Sequence, residues 1–336
     1  MDWATLIRSW TDVRVLLVGD FLLDRWVYGT IRRISREAPV FVVEHEDERW
    51  GLGGAANTAA QLTAYRAQVW TVGWLGDDPE GRRLLHMMQE RGIHTDGLVW
   101  LNDRPTVVKT RIVAGPLYAV RQQVLRIDQG SSAERHPVYR EQVLRHIQRI
   151  LPEVDLVLVS DYGYGAGDEE LVRITVATAR SRGIPVIGDS HDRLHAFRGA
   201  SAITPNESEF AQTAGQLWTD EMELERLMRA YCHRQELDGL LVTRGSRGMA
   251  LYERAHDRVT WYSVIGSPSP VDVAGAGDTV LATFGLVYTV TRDFRLAAHV
   301  ANAAGGIVVM KPGIVQATPD ELQTVLETSA FPDEHA

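Results

Sequence analysis

Residues 272 to 280 read DVAGAGDTV: four small residues framed by Asp272 and Asp278 and followed by the apolar run VLATFGLVYTV. A backbone so bare at the start of a helix leaves unpaired N–H groups open to an anion, and the helix dipole adds to the attraction. Gly275, Ala276 and Gly277 would let a phosphoryl group reach that backbone. Asp278 falls in the first turn, where its own charge opposes a bound anion. That arrangement suits a general base taking a proton from a hydroxyl that attacks the phosphoryl group. The plainer reading is a glycine-rich turn with Asp278 as an ordinary first-turn acid, and the stretch alone leaves both open.

Other clusters carry weaker signals of the same kind. GLGGAAN (51 to 57) also precedes a helix and matches a dinucleotide fingerprint, but the segment before it, EHEDERW, is too charged for the buried strand that fingerprint requires. TPNESE (204 to 209) offers Asn206 and Glu209 as oxygen donors for a hydrated magnesium; the same residues have the form of a capping box, and both readings can hold together. GDFLLD (19 to 24) supplies Asp20 and Asp24 either to grip hydroxyls or to form a surface turn. Asp161, in SDYGYG, could approach a site or cap a loop. HDRLH (191 to 195) spaces two histidines as zinc ligands, but without the glutamate or a third ligand that such a site needs. Trp26 could pack or stack on a sugar. The only lysines, Lys109 and Lys311, do not follow a glycine, so a Walker A loop is absent.

The elements that must position these residues follow from apolar periodicity. VRVLLVGD reads as a buried strand running into a loop. WVYGTIRRI with PVFVVEHEDERW, and TVVKTRIVAG with YAVRQQVLRID, alternate with many charges, as strands with one wet face do; together they could form a small separate sheet. From residue 136 the pattern alternates helix and strand regularly, which predicts a mostly parallel sheet with helices on both faces. A strand, VTWYSV, is expected before DVAGAGDTV, and FPDEHA reads as a frayed tail.

Composition narrows the partner. A net charge of −9 over 336 residues argues against nucleic acid or an anionic membrane and favours a small molecule. One cysteine, Cys232, permits no intrachain disulfide and reads as a small buried hydrophobe. No basic signal-peptide start and no run near 20 apolar residues is present, so a cytoplasmic protein is expected.

Taken in order, LLVGDFLLD, GLGGAAN, TPNESE, LLVTRGSRGMAL and DVAGAGD resemble the ribokinase-like, or PfkB, carbohydrate kinases over essentially the whole chain. RRISREAP, RQQVLRID, TPNESEF and ANAAGGIVV are most similar to the group acting on D-glycero-D-manno-heptose 7-phosphate, which includes the kinase half of bifunctional ADP-heptose synthases. The resemblance implies one three-layer α/β kinase domain over 1–336, with a mostly parallel central sheet and a β lid from about 24–50 and 105–128. It implies ATP, magnesium and possible use of potassium. Asp278 would be the catalytic base, with Gly275, Ala276 and Gly277 the anion hole. Asp24, Gly53, Gly54 and Asn57 would contact a sugar or sugar phosphate; Asn206, Thr243, Gly245 and Asn302 would line ATP; Glu209 would act on magnesium indirectly; Asp272 would adjoin a monovalent cation.

Four departures from the family pattern stand out. Ala274 replaces a frequent threonine, Arg66 replaces a usual glycine, His191 stands where the heptose kinases carry a lysine, and extra residues surround GPLY (115 to 118). The resemblance also implies that no nucleotidyltransferase half is encoded here. Exposed lid edges suggest a homodimer through the lid. The competing readings are a kinase of this fold for another sugar or a nucleoside, a silent sugar- or nucleotide-binding regulator, and a nicotinamide dehydrogenase built on GLGGAA.

Overall fold

The computed structural model describes residues 2–116, 121–133, 136–266, 269–329 and 331. Leu117 and Tyr118 of GPLY, and residues 332–336 of the expected tail, lie outside them.

The first apolar run forms β1 (Arg14–Gly19), the third strand from one edge of a nine-stranded sheet. Its parallel neighbours are β4 (Gln68–Gly76) and β8 (Leu156–Asp161). Beyond β8 follow β9 (Val186–Ser190), β10 (Ala202–Ile203) and β11 (Gly239–Thr243), all parallel, and then an antiparallel hairpin of β12 (Met249–Glu253) and β13 (Arg258–Tyr262). The other edge is β5 (His94–Leu101), a strand the sequence reading did not pick out.

Side-chain alternation divides the core into two layers. Val15 and Leu17 of β1 point into one apolar cluster, Leu16 and Val18 into the other. The first is covered by α1 (Trp3–Arg8), α2 (Ala55–Ala64), α3 (Pro79–Gln89), α8 (Ala276–Thr291), α9 (Phe294–Val308) and α10 (Pro319–Thr328). The second is covered by α4 (Pro137–Ile150), α5 (Glu169–Arg180), α6 (Glu207–Ala214) and α7 (Glu221–Gln235). Helices on both faces of a mostly parallel sheet give the expected three layers. Among the described residues no helix is long and apolar enough to cross a membrane.

The two polar excursions pair into a single four-stranded sheet in the order β3-β2-β6-β7, from β2 (Phe21–Ile34), β3 (Phe41–Gly54), β6 (Val107–Gly115) and β7 (Gln122–Gln129). This is the lid. The strand expected before DVAGAGDTV is β13, which ends at Tyr262, and none of the described residues between it and Asp272 belongs to a strand. Arg66, exposed just past α2, takes the left-handed conformation (φ 66°) that a glycine would take freely.

Candidate active site

Asp278 is buried in the first turn of α8, whose N-cap, Gly275, has φ 78° and offers no side-chain cap. A Cβ on Gly275 would meet Asn57 Nδ2 at 2.5 Å, so this turn requires glycine. The N–H groups of Gly277 and Asp278 have no carbonyl partner among the described residues, and a Cβ on Gly277 would meet nothing within 4 Å. Two free donors therefore face open space at the positive end of a 16-residue helix, which is an anion site in form.

Three donors hold the Asp278 carboxylate: Asn57 Nδ2 at 3.0 Å, Thr58 Oγ1 at 3.1 Å and the Tyr162 hydroxyl at 2.9 Å. Burial pushes its pKa up to about 6, against the pull of these hydrogen bonds. A carboxylate so poised is ionised at neutral pH yet basic enough to take a hydroxyl proton in a transition state. Asn57, expected at the sugar, has its amide engaged within the protein: Nδ2 donates to Asp278 and Oδ1 accepts from Gln316 Nε2 at 3.0 Å.

The lid brings Asp24 into the same region. Asp24 is buried and paired with Arg111, and burial raises its pKa while Arg111 lowers it. Gly53 lies against it: a Cβ there would meet Asp24 Oδ2 at 2.2 Å. Gly54 (φ 54°) turns the chain from β3 into α2. Because GLGGAAN ends a lid strand antiparallel to β2, it has no place in a parallel βαβ unit, and the dehydrogenase reading loses its structural basis. Trp26 packs in the lid with the Arg111 guanidinium 5.3 Å from its ring centre.

Across the site, Asn206 caps α6 and forms the capping box with Glu209: Asn206 Oδ1 accepts from Glu209 N at 3.0 Å, and Glu209 Oε2 accepts from Asn206 N at 2.8 Å. The remaining Glu209 oxygen meets His191 Nδ1 at 2.6 Å, a contact that raises the histidine's pKa. His195 bonds a different partner, Glu169, at 2.8 Å, so the two histidines of HDRLH diverge. Near Glu209 lies Asp189, whose Oδ1 is buried with no hydrogen-bond partner; burial first, then the charges of Glu209 and Asp278, raise its pKa well above the usual carboxylate range. Asp189 was not singled out in the sequence, although its position in GDSHDR at the end of a buried strand was the available signal. No three-ligand metal cluster exists among the described residues. A hydrated magnesium, held by one or two carboxylates and by phosphate oxygens, does not need one. The unpartnered oxygen of Asp189 beside Glu209 fits such an ion.

A cleft with about 720 Å³ of open space, solvent at its mouth included, runs from this region along α8 and α9. Thr243, Gly245 and Asn302 line it together with Ala276 and Gly277, so three residues expected along a nucleotide converge on the helix N-terminus. Asn302 also donates to the Ser263 carbonyl at 2.7 Å, pinning the loop that forms one wall. Asn206 is not among the lining residues but bridges Thr243 backbone to backbone.

Three acids take positioning parts. Asp20, read as either a ligand or a surface residue, is neither: it is buried and accepts the N–H groups of Tyr162, Tyr164 and Ala166 at 2.8, 2.9 and 2.9 Å, which fixes the loop carrying Tyr162. Asp161 accepts from Ser190 Oγ at 2.6 Å and Gly163 N at 3.0 Å and so caps that loop. Asp272 accepts from Ala274 N at 2.9 Å and Gly313 N at 3.1 Å, tying the bare turn to the segment before α10. Cys232 is buried, which pushes its thiol pKa up. Tyr162, Thr58 and Lys109 were also not foreseen as site residues, since only the fold brings three separate segments to Asp278.

Residues 15–321 match the model of the pfkB family of carbohydrate kinases. The D-beta-D-heptose 7-phosphate kinase of Bordetella bronchiseptica is 38% identical over 92% of this chain and 95% of its own length. The bifunctional protein HldE of Gluconacetobacter diazotrophicus is 37% identical over 96% of this chain, which spans 65% of that relative's length. Among solved structures, the ribokinase of Arabidopsis thaliana complexed with ribose and ATP superposes with a TM-score of 0.73 at 20% identity, covering 95% of this chain and 100% of that one. Phosphofructokinase-2 of Escherichia coli in complex with potassium gives 0.76 at 14% identity, covering 94% and 98%. At these identities the two structures establish the fold alone.

Proposed function

Because the chain belongs to the pfkB family of carbohydrate kinases, we propose that it moves the terminal phosphoryl group of ATP to a hydroxyl of a heptose already phosphorylated at C7. The observation that carries this reading is Asp278: a buried carboxylate, held by three donors, adjoining two unpartnered N–H groups at a helix N-terminus. The relatives, named for heptose 7-phosphate, support the choice of acceptor.

Asp278 takes the proton of the attacking hydroxyl. The N–H groups of Gly277 and Asp278, opened by Gly275 and Ala276, donate to the phosphoryl oxygens as negative charge develops on them. Asp24, Gly53 and Gly54 hold the sugar, while Asn57 orients the base instead of serving the sugar alone. Thr243, Gly245 and Asn302 flank the nucleotide, and Asn206 sets their strand against α6. Glu209 and Asp189 would hold a hydrated magnesium, which when bound neutralises phosphate charge. Asp272 would adjoin a potassium ion through oxygen lone pairs that its two backbone donors leave free. The lid excludes water, which favours transfer over hydrolysis.

The lid also supports a homodimer. Thr110 pairs with Ile127 and Ile112 with Leu125, so these side chains lie on the face turned away from Asp24 and Lys109. Leu125 and Ile127 are 55% and 52% exposed on that face, an apolar surface that a second copy would cover.

ATP consumption across a panel of heptose 7-phosphate, fructose, fructose phosphates, ribose and nucleosides tests the reading. Asp278→Asn serves as the control and is expected to lose a factor of about 10³ in kcat while still binding ATP. Turnover of a different sugar would reassign the acceptor, and near-normal turnover by Asp278→Asn would remove the mechanism.

A further inference from the structure

Helix α2 turns one face toward the segment that precedes α10. Asn57 and Gln61 lie one turn apart on that face, both buried, and each meets the chain at residues 316 and 317. Gln61 takes both backbone groups of Ala317: its Oε1 accepts from Ala317 N at 2.8 Å, and its Nε2 donates to Ala317 O at 2.9 Å. That two-point clasp fixes the backbone beside Gln316. Lys311 adds a further tie, donating to the Gln316 carbonyl at 3.4 Å while its ammonium pairs with Glu321 at 2.6 Å. With its backbone so held, the half-buried Gln316 aims its amide at Asn57, and Nε2 donates to Asn57 Oδ1 at 3.0 Å.

Asn57 connects this contact to the base. Its Nδ2 donates to Asp278 Oδ2 at 3.0 Å and lies 3.5 Å from the Gly275 carbonyl. An amide placed between a donor and a carboxylate has one favourable orientation, nitrogen toward the carboxylate. Donation into its oxygen also polarises the amide and strengthens its N–H as a donor. Burial raises the pKa of Asp278, and the hydrogen bond from Asn57 is the largest pull against it. We propose that Gln316 is a positioning residue for the base: its amide holds and polarises Asn57, which in turn keeps the Asp278 carboxylate aimed at the attacking hydroxyl. Gln316 does not line the nucleotide cleft, so ATP binding should not register its loss. This inference rests on the kinase reading above and deepens it by naming what orients the base.

Gln316→Met keeps the length of the side chain and removes the donor. Steady-state kinetics with ATP and heptose 7-phosphate, from about pH 5 to about pH 9, should show the acid limb of kcat/KM moved up by about half a pH unit and kcat at pH 8 lowered about fivefold, with the KM for ATP within about twofold of the parent. Asp24, Asp189 and Lys109 act on Asp278 by charge and Tyr162 by its hydroxyl, and all four are common to parent and variant. A moved limb therefore belongs to Gln316. Gln316→Glu has the same shape but, ionised at pH 8, turns only acceptors toward Asn57 Oδ1, so it should lose more kcat than Gln316→Met. Thermal melting reports the folding of both variants. An unmoved limb in Gln316→Met, a loss confined to the KM for ATP, or parent-like turnover by Gln316→Glu would overturn the assignment. A readout without turnover comes from the asparagines, of which the chain has four, Asn57, Asn102, Asn206 and Asn302. Isotopic labelling of asparagine nitrogen resolves their side-chain amides by NMR, and Asn57→Ser identifies that of Asn57. Its resonance should titrate with Asp278 at about 6 in the parent and about half a pH unit higher in Gln316→Met. If no sugar is phosphorylated yet this midpoint moves, the kinase reading fails and the link from Gln316 to Asp278 stands. A midpoint indifferent to Gln316→Met would overturn the link even in an active kinase.

Discussion

At the scale of single residues, the site turns on how burial and hydrogen bonding compete at Asp278. Burial raises its pKa to about 6, and the donors Asn57, Tyr162 and Thr58 keep it from rising further. The proposed base role requires Asp278 to be ionised, so kcat/KM should be flat above neutrality and fall about tenfold per pH unit once pH drops below about 6. Tyr162→Phe removes a donor to the ionised form, so the acid limb should move to higher pH. A pH–rate series on the two proteins checks both statements, and an unmoved limb would mean that another group sets it. The aspartates most easily mistaken for ligands in the sequence, Asp20 and Asp161, spend their oxygens on backbone N–H groups and a serine. Such acids shape the loop that carries Tyr162, and nothing in their sequence spacing distinguishes that task from ligand binding.

At the scale of elements, the departures from the family pattern have local consequences. Arg66 takes a left-handed conformation that costs an L-residue about 1 kcal/mol, and its exposed side chain has no burial to offset this. Arg66→Gly should therefore raise unfolding stability by about 1 kcal/mol in urea titrations and leave turnover unchanged. A loss of stability would mean that the arginine makes compensating surface contacts. His191 is a different case: it sits against Glu209 at 2.6 Å and edge-on to Tyr162 with ring centres 4.6 Å apart, so it belongs to the same packed group as Asp278. Ala274 keeps its backbone N–H on Asp272, so loss of the family's threonine hydroxyl leaves this tie of the bare turn in place.

At the scale of the whole molecule, the lid is a single sheet with unequal faces. One face bears Asp24, Lys109 and Arg111 toward the site; the other exposes Leu125 and Ile127. A dimer formed by lid pairing buries the second face, and light scattering should give twice the chain mass at micromolar concentration. Leu125→Glu with Ile127→Lys should give a monomer. A parent protein that is monomeric under the same conditions would remove the dimer.

The sequence by itself determined the alternation of strands and helices, the polar excursions that become the lid, and the bare turn ending on Asp278. These features are local: periodicity of two or 3.6 residues and the small side chains of a helix start are read without knowing what lies opposite. It also carried the ordered motifs that mark a carbohydrate kinase. Tertiary structure alone decided which acids hold backbone N–H groups, that Asn57 donates to Asp278, and that Asp189 Oδ1 has no hydrogen-bond partner. Each of these depends on partners drawn from distant segments: Asn57 and Asp278 are 221 residues apart, and Tyr162 and Asp278 are 116. Burial and charge pairing are properties of such meetings, so residue type alone could not supply them.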